Sequence, residues 1–305
     1  MPRLLITGAS GFIGRALVDA LATRSGYELH AVTWGTPKVP LSEQVTWHEC
    51  SLLEHKSVDA LFAKLKPDSL IQLAWCADHA TYWKDPANFD WLYANLNIAR
   101  AFIRQGGRRA VFAGTSAEYD WSGQLPLNEF ETPLKPQMLY GSCKLAAYWA
   151  IKGYFEQEGV SWAWARFFNP FGPYEDRRRL IPKVCLRLLA GEKQDFDAAL
   201  SQRDFLHVDD VGSGLAALAL SEVQGPVNVG SGIPLRIRNV VSAIAKHLGK
   251  EDLVSFSAKN SDEGAVVADV ARLRDEAGWS PSLTFEQRLA QTCDWWQSQG
   301  LENKR

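Results

Sequence analysis

Short apolar runs alternate with segments whose apolar positions lie three and four apart through the first half of the chain. The first run is Arg3 to Thr7. The segment after it, Phe12 to Arg24, sets Phe12, Ile13, Ala16, Leu17, Ala20 and Leu21 along one side of a helix. The same rhythm predicts strands at Tyr27 to Thr33, Val45 to His48, Ser69 to Ala74, Arg109 to Gly114 and Ser161 to Phe167. Helices are predicted at Ser57 to Lys64, at Asn88 to Gln105, closed by Gly106-Gly107, and at Tyr140 to Gln157. Strand–helix alternation of this kind implies parallel pairing through right-handed crossovers, with helices on both faces. The fold class is α/β, a Rossmann-type doubly wound parallel sheet.

After Asn169-Pro170-Phe171-Gly172-Pro173 the pattern loosens. Leu180 to Leu189 reads as a basic amphipathic helix and Val227 to Val229 as a short strand. Val240 to Leu248 and Phe285 to Trp296 read as helices. Residues 1–168 are expected to form the Rossmann domain, with 204–230 returning to it, and 169–305 mainly a smaller C-terminal lobe. Such a lobe would pack on the carboxyl edge of the sheet, where open α/β sheets bind their ligands.

Composition narrows the function classes. The 305 residues carry 33 Lys+Arg against 35 Asp+Glu and are 46% hydrophobic. A net charge of -2 gives no electrostatic case for nucleic acid or for an anionic membrane surface. Cys50, Cys76, Cys143, Cys185 and Cys293 are scattered, with no CxxC spacing, so reduced thiols are expected, without a disulfide framework or a metal site. Leu4 to Ile6 is too short for a signal peptide, and no run approaches the roughly 18 apolar residues of a membrane span. A soluble, cytoplasmic protein is expected.

Thr7-Gly8-Ala9-Ser10-Gly11-Phe12-Ile13-Gly14 joins the first strand to the first helix. In that position Gly8 permits a tight turn, Gly11 lets backbone approach a pyrophosphate, and Gly14 allows helix–sheet packing. Phosphate oxygens would meet the free N–H groups and positive dipole end of the helix. Gly8, Ser10, Gly11, Phe12, Ile13 and Gly14 are therefore candidate dinucleotide contacts, joined by Leu73 and Ala74 after the fourth strand. At the end of the second strand Thr33-Trp34-Gly35-Thr36 offers no carboxylate for a ribose hydroxyl, and Lys38 is the nearest cation. Thr33 and Lys38 thus complete the set, and the reading inclines to NADP over NAD.

Tyr140-Gly141-Ser142-Cys143-Lys144 puts a phenol and an ammonium four residues apart, on one helix face. A nearby cation favours phenolate, which would bring the phenol toward the working range of an acid–base group. Thr115, in Gly114-Thr115-Ser116-Ala117-Glu118-Tyr119, supplies a hydroxyl to orient a substrate oxygen, with Ser116 beside it. Thr115, Tyr140 and Lys144 are the candidate catalytic set. Tyr140 and Lys144 also count as coenzyme contacts.

With these motifs in order, the chain resembles an extended short-chain dehydrogenase/reductase of the NAD-dependent epimerase/dehydratase family, which acts on nucleotide sugars. Arg166 to Pro173 is similar to that family's R-x-x-N-x-x-G-P segment, Arg203 to Val211 to its R-D-F-x-x-V-D-D-V, and Asn228 to Gly232 to its N-x-G-S-G. The resemblance implies that Asn169 contacts the sugar nucleotide and Arg203 its diphosphate, a good match for a guanidinium fork. It also implies a homodimer in which the helices at 88–105 and 140–157 pair as a four-helix bundle. Family dehydratases follow the Thr with an Asp-Glu pair, and some epimerase–reductases carry a Cys acid–base where Ala117 stands; this chain has Ser116 and Ala117. The usual adenine-side Asp after the third strand is missing near Cys50-Ser51-Leu52.

A methyl group moves no proton, so the surviving set points to redox chemistry at one carbinol or ketone. The favoured reaction is reduction of a nucleotide-linked 4-keto-(6-deoxy)hexose with Tyr140 as proton donor. A 4-epimerase holding NAD, and a non-catalytic Rossmann sensor, are the alternatives. Trp34, Trp75, Trp83 and Trp121 fall in loops at the carboxyl edge, where they either stack on ligand or pack. His79 either touches a sugar hydroxyl or acts as a second acid–base, against the plainer reading of a loop histidine. Arg177-Arg178-Arg179 is a solvated run or approaches the diphosphate through Arg179. Cys76 and Cys143 read as small buried fillers, and Asp209 and Asp210 as caps of the helix that follows them.

Overall fold

The structure is a computed structural model that describes all residues except 25, 36–41, 77, 123–124, 197–199, 258–263 and 303–305. Seven strands form one parallel sheet: β1 (Arg3–Thr7), β2 (Glu28–Thr33), β3 (Thr46–Glu49), β4 (Ser69–Gln72), β5 (Arg109–Thr115), β6 (Ser161–Phe167) and, after four shorter strands, Gly225–Val229. The shorter strands are β7 (Asn169–Phe171), β8 (Gln194–Phe196), β9 (Gln202–Arg203) and β10 (Phe205–His207), which makes the seventh sheet strand β11. The order across the sheet is β11-β6-β5-β4-β1-β2-β3. The chain therefore leaves β1 toward β2 on one side and later returns to β4 on the other. A crevice opens where the direction reverses, at the carboxyl ends of β1 and β4.

Two apolar layers sandwich the sheet. α1 (Phe12–Ala22) lies on one face with α6 (Val208–Leu220), and Leu17, Leu21, Val211 and Leu215 pack there against Ile6, Ile71 and Val227. α2 (His55–Leu65), α3 (Ala87–Arg104) and α4 (Leu139–Gln157) cover the other face, where Phe62, Phe102, Ile151 and Phe155 meet Leu5, Leu70 and Phe112. A third cluster joins α5 (Leu180–Leu189), α7 (Ile237–Leu248) and α8 (Phe285–Glu302) around Val184, Leu188, Ile244 and Trp296. The remaining strands β12 (Leu235–Arg236), β13 (Val254–Phe256) and β14 (Ala265–Val266) pair with β9 and β8 beside this cluster.

Several local expectations are corrected. The first helix stops at Ala22 and the fourth strand at Gln72. The two- and three-residue strands are too short to carry a hydrophobic period. α6, the helix for which Asp209 and Asp210 are the expected caps, is capped by His207, whose Nδ1 accepts from Asp209 N at 3.3 Å. Asp210 instead takes both arms of Arg288 on α8, at 2.7 and 2.8 Å, and Asp209 takes one at 3.2 Å. Those carboxylates serve as anchors for the C-terminal helix.

The outer side of β11 is finished with side chains. Glu129 Oε1 accepts from Asn228 N at 2.8 Å, and Arg272 donates to Pro226 O and, at 3.0 Å, to Gln224 O. Between α1 and α8, Tyr174 adopts φ +66°, with the Arg15 guanidinium 3.6 Å above its ring and the Trp295 ring 4.7 Å away.

Candidate active site

The turn after β1 accepts only glycine at two points. Gly8 has φ +67°, and a Cβ there would sit 2.8 Å from Ala74 N. A Cβ on Gly14 would lie 2.1 Å from Gly8 O. α1 then begins with Gly11 as its N-cap and no side chain bonded to its first amides. This leaves an uncapped helix N-terminus against a cavity of about 520 Å³ lined by Gly8, Gly11, Phe12, Ile13 and Gly14. The donor set fits a dinucleotide pyrophosphate, and the opposite wall, Leu73 and Ala74, continues β4. Ser10 and Thr33 are not among the lining residues, and Lys38 lies outside the described residues.

Thr115, Tyr140 and Lys144 meet in this cavity, with Ser116 beside them. Tyr140 stands in the first turn of α4, where its N donates to Trp83 O at 3.2 Å. Its ring meets Tyr82, Trp83 and Trp75 edge-on, at centroid distances of 4.9, 5.7 and 6.4 Å. Burial among these rings pushes the phenol well above its ordinary pKa, and neighbouring Tyr82 adds to the effect. A hydrogen bond with the Thr115 side chain and the charge of Arg179 act the other way. Sequence logic has the lysine lowering this pKa; in the structure desolvation outweighs every nearby cation. Lys144, one turn on, donates through Nζ to Ala113 O at 2.8 Å and lies 3.9 Å over the Trp75 ring. Burial pushes it down to about 7, with Glu118 opposing.

The Thr115 loop rests on a buried ion pair. Thr115 caps a short 3₁₀ turn, Ser116–Glu118, its Oγ1 accepting from Ala117 N at 3.2 Å and its own N donating to Glu118 Oε1 at 2.8 Å. Glu118 Oε2 pairs with Arg166 Nε at 2.7 Å, and both side chains are fully buried. Glu118 carries no role in the motifs read from the sequence. The signal is there in Thr115-Ser116-Ala117-Glu118, the spacing of a capping box.

The far wall comes from two loops. Trp75, Cys76, His79, Tyr82 and Trp83 precede α3, and Asp176 and Arg179 precede α5. Cys76, expected as a buried filler, is only half-buried and lines the cavity, whereas Cys143 is buried. Of the four loop tryptophans, Trp75, Trp83 and Trp121 line the cleft, while Trp34 is 71% exposed at the exit of β2. Among the described residues His79 Nδ1 is buried without a hydrogen-bond partner, and burial and Arg179 together lower the imidazole pKa. Arg179 is held by Glu175 at 2.7 Å, and burial pushes that carboxyl up to about 7. Arg178 ties the two loops together by reaching Asp78 at 2.7 Å and Asp176 at 2.6 Å. Tyr82 and Glu175 belong to no motif, so spacing could not reveal them.

Asn169 and Arg203 line the same cavity. Asn169 Nδ2 donates to Asp204 O at 3.0 Å, and Arg203 Nη1 to Gln202 O and Gly264 O at 2.9 and 3.0 Å. The buried Asp204 carboxylate accepts from Ser231 N and Oγ, both at 2.7 Å, from Gly232 N at 2.9 Å and from Ala268 N at 3.1 Å. The Arg203-Asp204-Phe205 and Asn228 to Gly232 segments thus converge on one acidic node.

Residues 4–230 match the NAD dependent epimerase/dehydratase family. The chain is 31% identical over 325 residues to GDP-6-deoxy-D-mannose reductase of Pseudomonas aeruginosa, covering 98% of this chain and 99% of that protein. It is 29% identical over 311 residues to UDP-glucuronic acid decarboxylase 1 of Xenopus tropicalis, covering 97% and 72%. Among solved structures, UDP-glucose 4-epimerase of Thermus thermophilus in complex with NAD superposes with a TM-score of 0.84 at 26% identity, covering 96% of this chain and 98% of that one. A glycine turn at a switch point, a Thr–Tyr–Lys constellation beside it, and these likenesses over nearly the full length lead to one assignment: the chain belongs to the NAD dependent epimerase/dehydratase family, enzymes that act on nucleotide-activated sugars.

Proposed function

We propose that this enzyme reduces a nucleotide-activated 4-keto-6-deoxyhexose, with Tyr140 giving its proton to the C4 oxygen. One observation carries the reading: the Tyr140 phenol is packed among rings that raise its pKa, and the loop facing it offers Thr115, Ser116 and the Ala117 methyl, while its carboxylate, Glu118, is held in the ion pair with Arg166. The likeness to a GDP-6-deoxy-D-mannose reductase supports it.

The glycine turn and the first amides of α1 would hold the coenzyme pyrophosphate, with Lys144 and Tyr140 at its nicotinamide end. When bound, the coenzyme supplies the hydride. The remaining work falls to side chains. The Thr115 hydroxyl orients the substrate carbonyl toward the phenol, so that negative charge developing on its oxygen meets a donor already in place. Tyr140 then transfers its proton, and the positive charges of Lys144 and Arg179 favour the phenolate left behind. Asn169 and Arg203 would receive the sugar nucleotide, Arg203 at the diphosphate, and Trp75 and His79 would border the sugar. NADP is proposed over NAD because the end of β2 carries no carboxylate. A homodimer is proposed through α3 and α4, where Phe89, Tyr93 and Trp149 are exposed.

The test is a trial of NADPH and NADH oxidation with GDP-, CDP- and dTDP-4-keto-6-deoxyhexoses. Stoichiometric loss of coenzyme absorbance is the expected result. Conversion of a sugar nucleotide with no net coenzyme loss would replace reduction by 4-epimerisation. Tight coenzyme binding with every sugar inert would point to a sensor.

A further inference from the structure

A second cavity, of about 870 Å³, lies behind the aromatic wall of the catalytic cleft. Trp83 and Trp121 line both spaces, and their rings meet edge-to-face with centroids 6.4 Å apart. We propose that this second cavity receives a bulky apolar substituent, an acyl or aryl group, carried by the substrate beside the carbonyl that Tyr140 serves. The proposal rests on the reductase reading and adds a substrate class to it.

The chemistry of the walls carries the argument. Ala117 contributes a methyl group, and its N–H is spent on Thr115 Oγ1. Tyr119 turns its hydroxyl into the core, donating to Asn228 Oδ1 at 2.7 Å and accepting from Arg166 Nη1 at 3.0 Å. Trp121 Nε1 is bound to Ser116 O at 2.8 Å. Thr81 Oγ1 donates to Asp85 Oδ2 at 3.1 Å, and the other Asp85 oxygen accepts from Ala87 N at 2.9 Å. The hydroxyl, indole and carboxylate atoms named here are therefore already satisfied elsewhere, and apart from Lys84 and Gln137 the walls offer mainly ring and hydrocarbon surface to an occupant. Sugar hydroxyls entering here would lose water and find few partners, whereas a hydrocarbon group would lose nothing. Position makes the occupant part of the substrate. Trp83 accepts the Tyr140 N–H through its backbone and touches the Tyr140 ring, so a group resting on Trp83 is one ring away from the reacting oxygen.

The experiment compares nucleotide 4-keto-6-deoxyhexoses bearing a 3-acetamido, 3-butyramido or 3-hexanamido group. Burial of hydrocarbon predicts that kcat/KM rises up to about fourfold per added methylene, and at least about tenfold across the series. Gln137→Trp, which fills the cavity from its exposed rim, is expected to abolish that rise and leave acetamido turnover within about twofold of native. If Gln137→Trp does not fold, Ala80→Trp gives the same readout from the other loop. A flat response to chain length overturns the proposal, as does a rise that survives in the filled variant. Dissociation of a dimer by either variant would instead make the cavity a seat for a second copy, and the proposal would fall. Should none of the three sugars be reduced, the reductase reading fails by itself, and calorimetric binding then decides the cavity. Hexanamido binding at least about tenfold tighter than acetamido, lost in Gln137→Trp, upholds it, and equal affinities sink it.

Discussion

Tyr140 and Lys144 were singled out by their spacing only in combination with the glycine turn and the Thr115 loop, and their electrostatics come from what surrounds them. Three aromatic rings and a carbonyl take water from the two groups, and this desolvation moves the phenol up and the ammonium down. Tyr140→Phe keeps the ring contacts and removes only the proton. Turnover is expected to fall by roughly 10²- to 10⁴-fold with the melting temperature nearly unchanged, as stopped-assay rates and calorimetry would show. Lys144 adds a dependence on pH. An unfolded lysine holds its proton to 10.5, whereas this one releases it near 7. Between those values the unfolded chain binds more protons, so this group makes stability rise with pH, and its full cost is felt below pH 7. Lys144→Met should therefore raise the melting temperature most at pH 6, by about 2 °C or more, with the gain shrinking toward pH 10. A gain that grew with pH would contradict the buried-ammonium picture. The pairing of Glu118 with Arg166 and of Asp204 with Ser231 stayed illegible for a physical reason: the partners lie 48 and 27 positions away and are brought together by tertiary folding.

At the scale of elements, the parallel strands were readable because they are apolar on both faces, and the long helices because their apolar residues recur at helical spacing. The lobe beyond Asn169 was harder, since strands of two or three residues have no period to detect. Helix approach was also invisible. A Cβ on Gly212 of α6 would lie 2.4 Å from Ala16 C and 2.6 Å from Ala16 O, both backbone atoms of α1. Gly212→Ala must push the two helices apart, at a cost of about 1–3 kcal/mol. Because α1 opens at the glycine turn, coenzyme affinity should weaken along with thermal stability. Gly153→Ala, with nothing within 4 Å of the new methyl, is the matched control and should be neutral or slightly stabilising in the same calorimetric scan.

Across the whole molecule, α3 and α4 cover one face of the sheet and still leave Phe89, Tyr93 and Trp149 at 51%, 65% and 53% exposure. Isolated exposed rings are ordinary, but three on adjacent helices suit a self-complementary contact. Trp149→Glu is expected to turn a dimer into a monomer in sedimentation velocity without changing the circular dichroism spectrum. A native protein that sediments as a monomer at micromolar concentration would end the idea. The side-chain finish along β11 bears on a different kind of association. A foreign strand seeking to extend a sheet needs a rim of vacant amides and carbonyls. Glu129 and Arg272 plug groups that such an intruder would use beside Pro226 and Asn228. Fibrillar growth, if heat or mutation ever starts it, is thereby steered to the opposite rim at Thr46–Glu49.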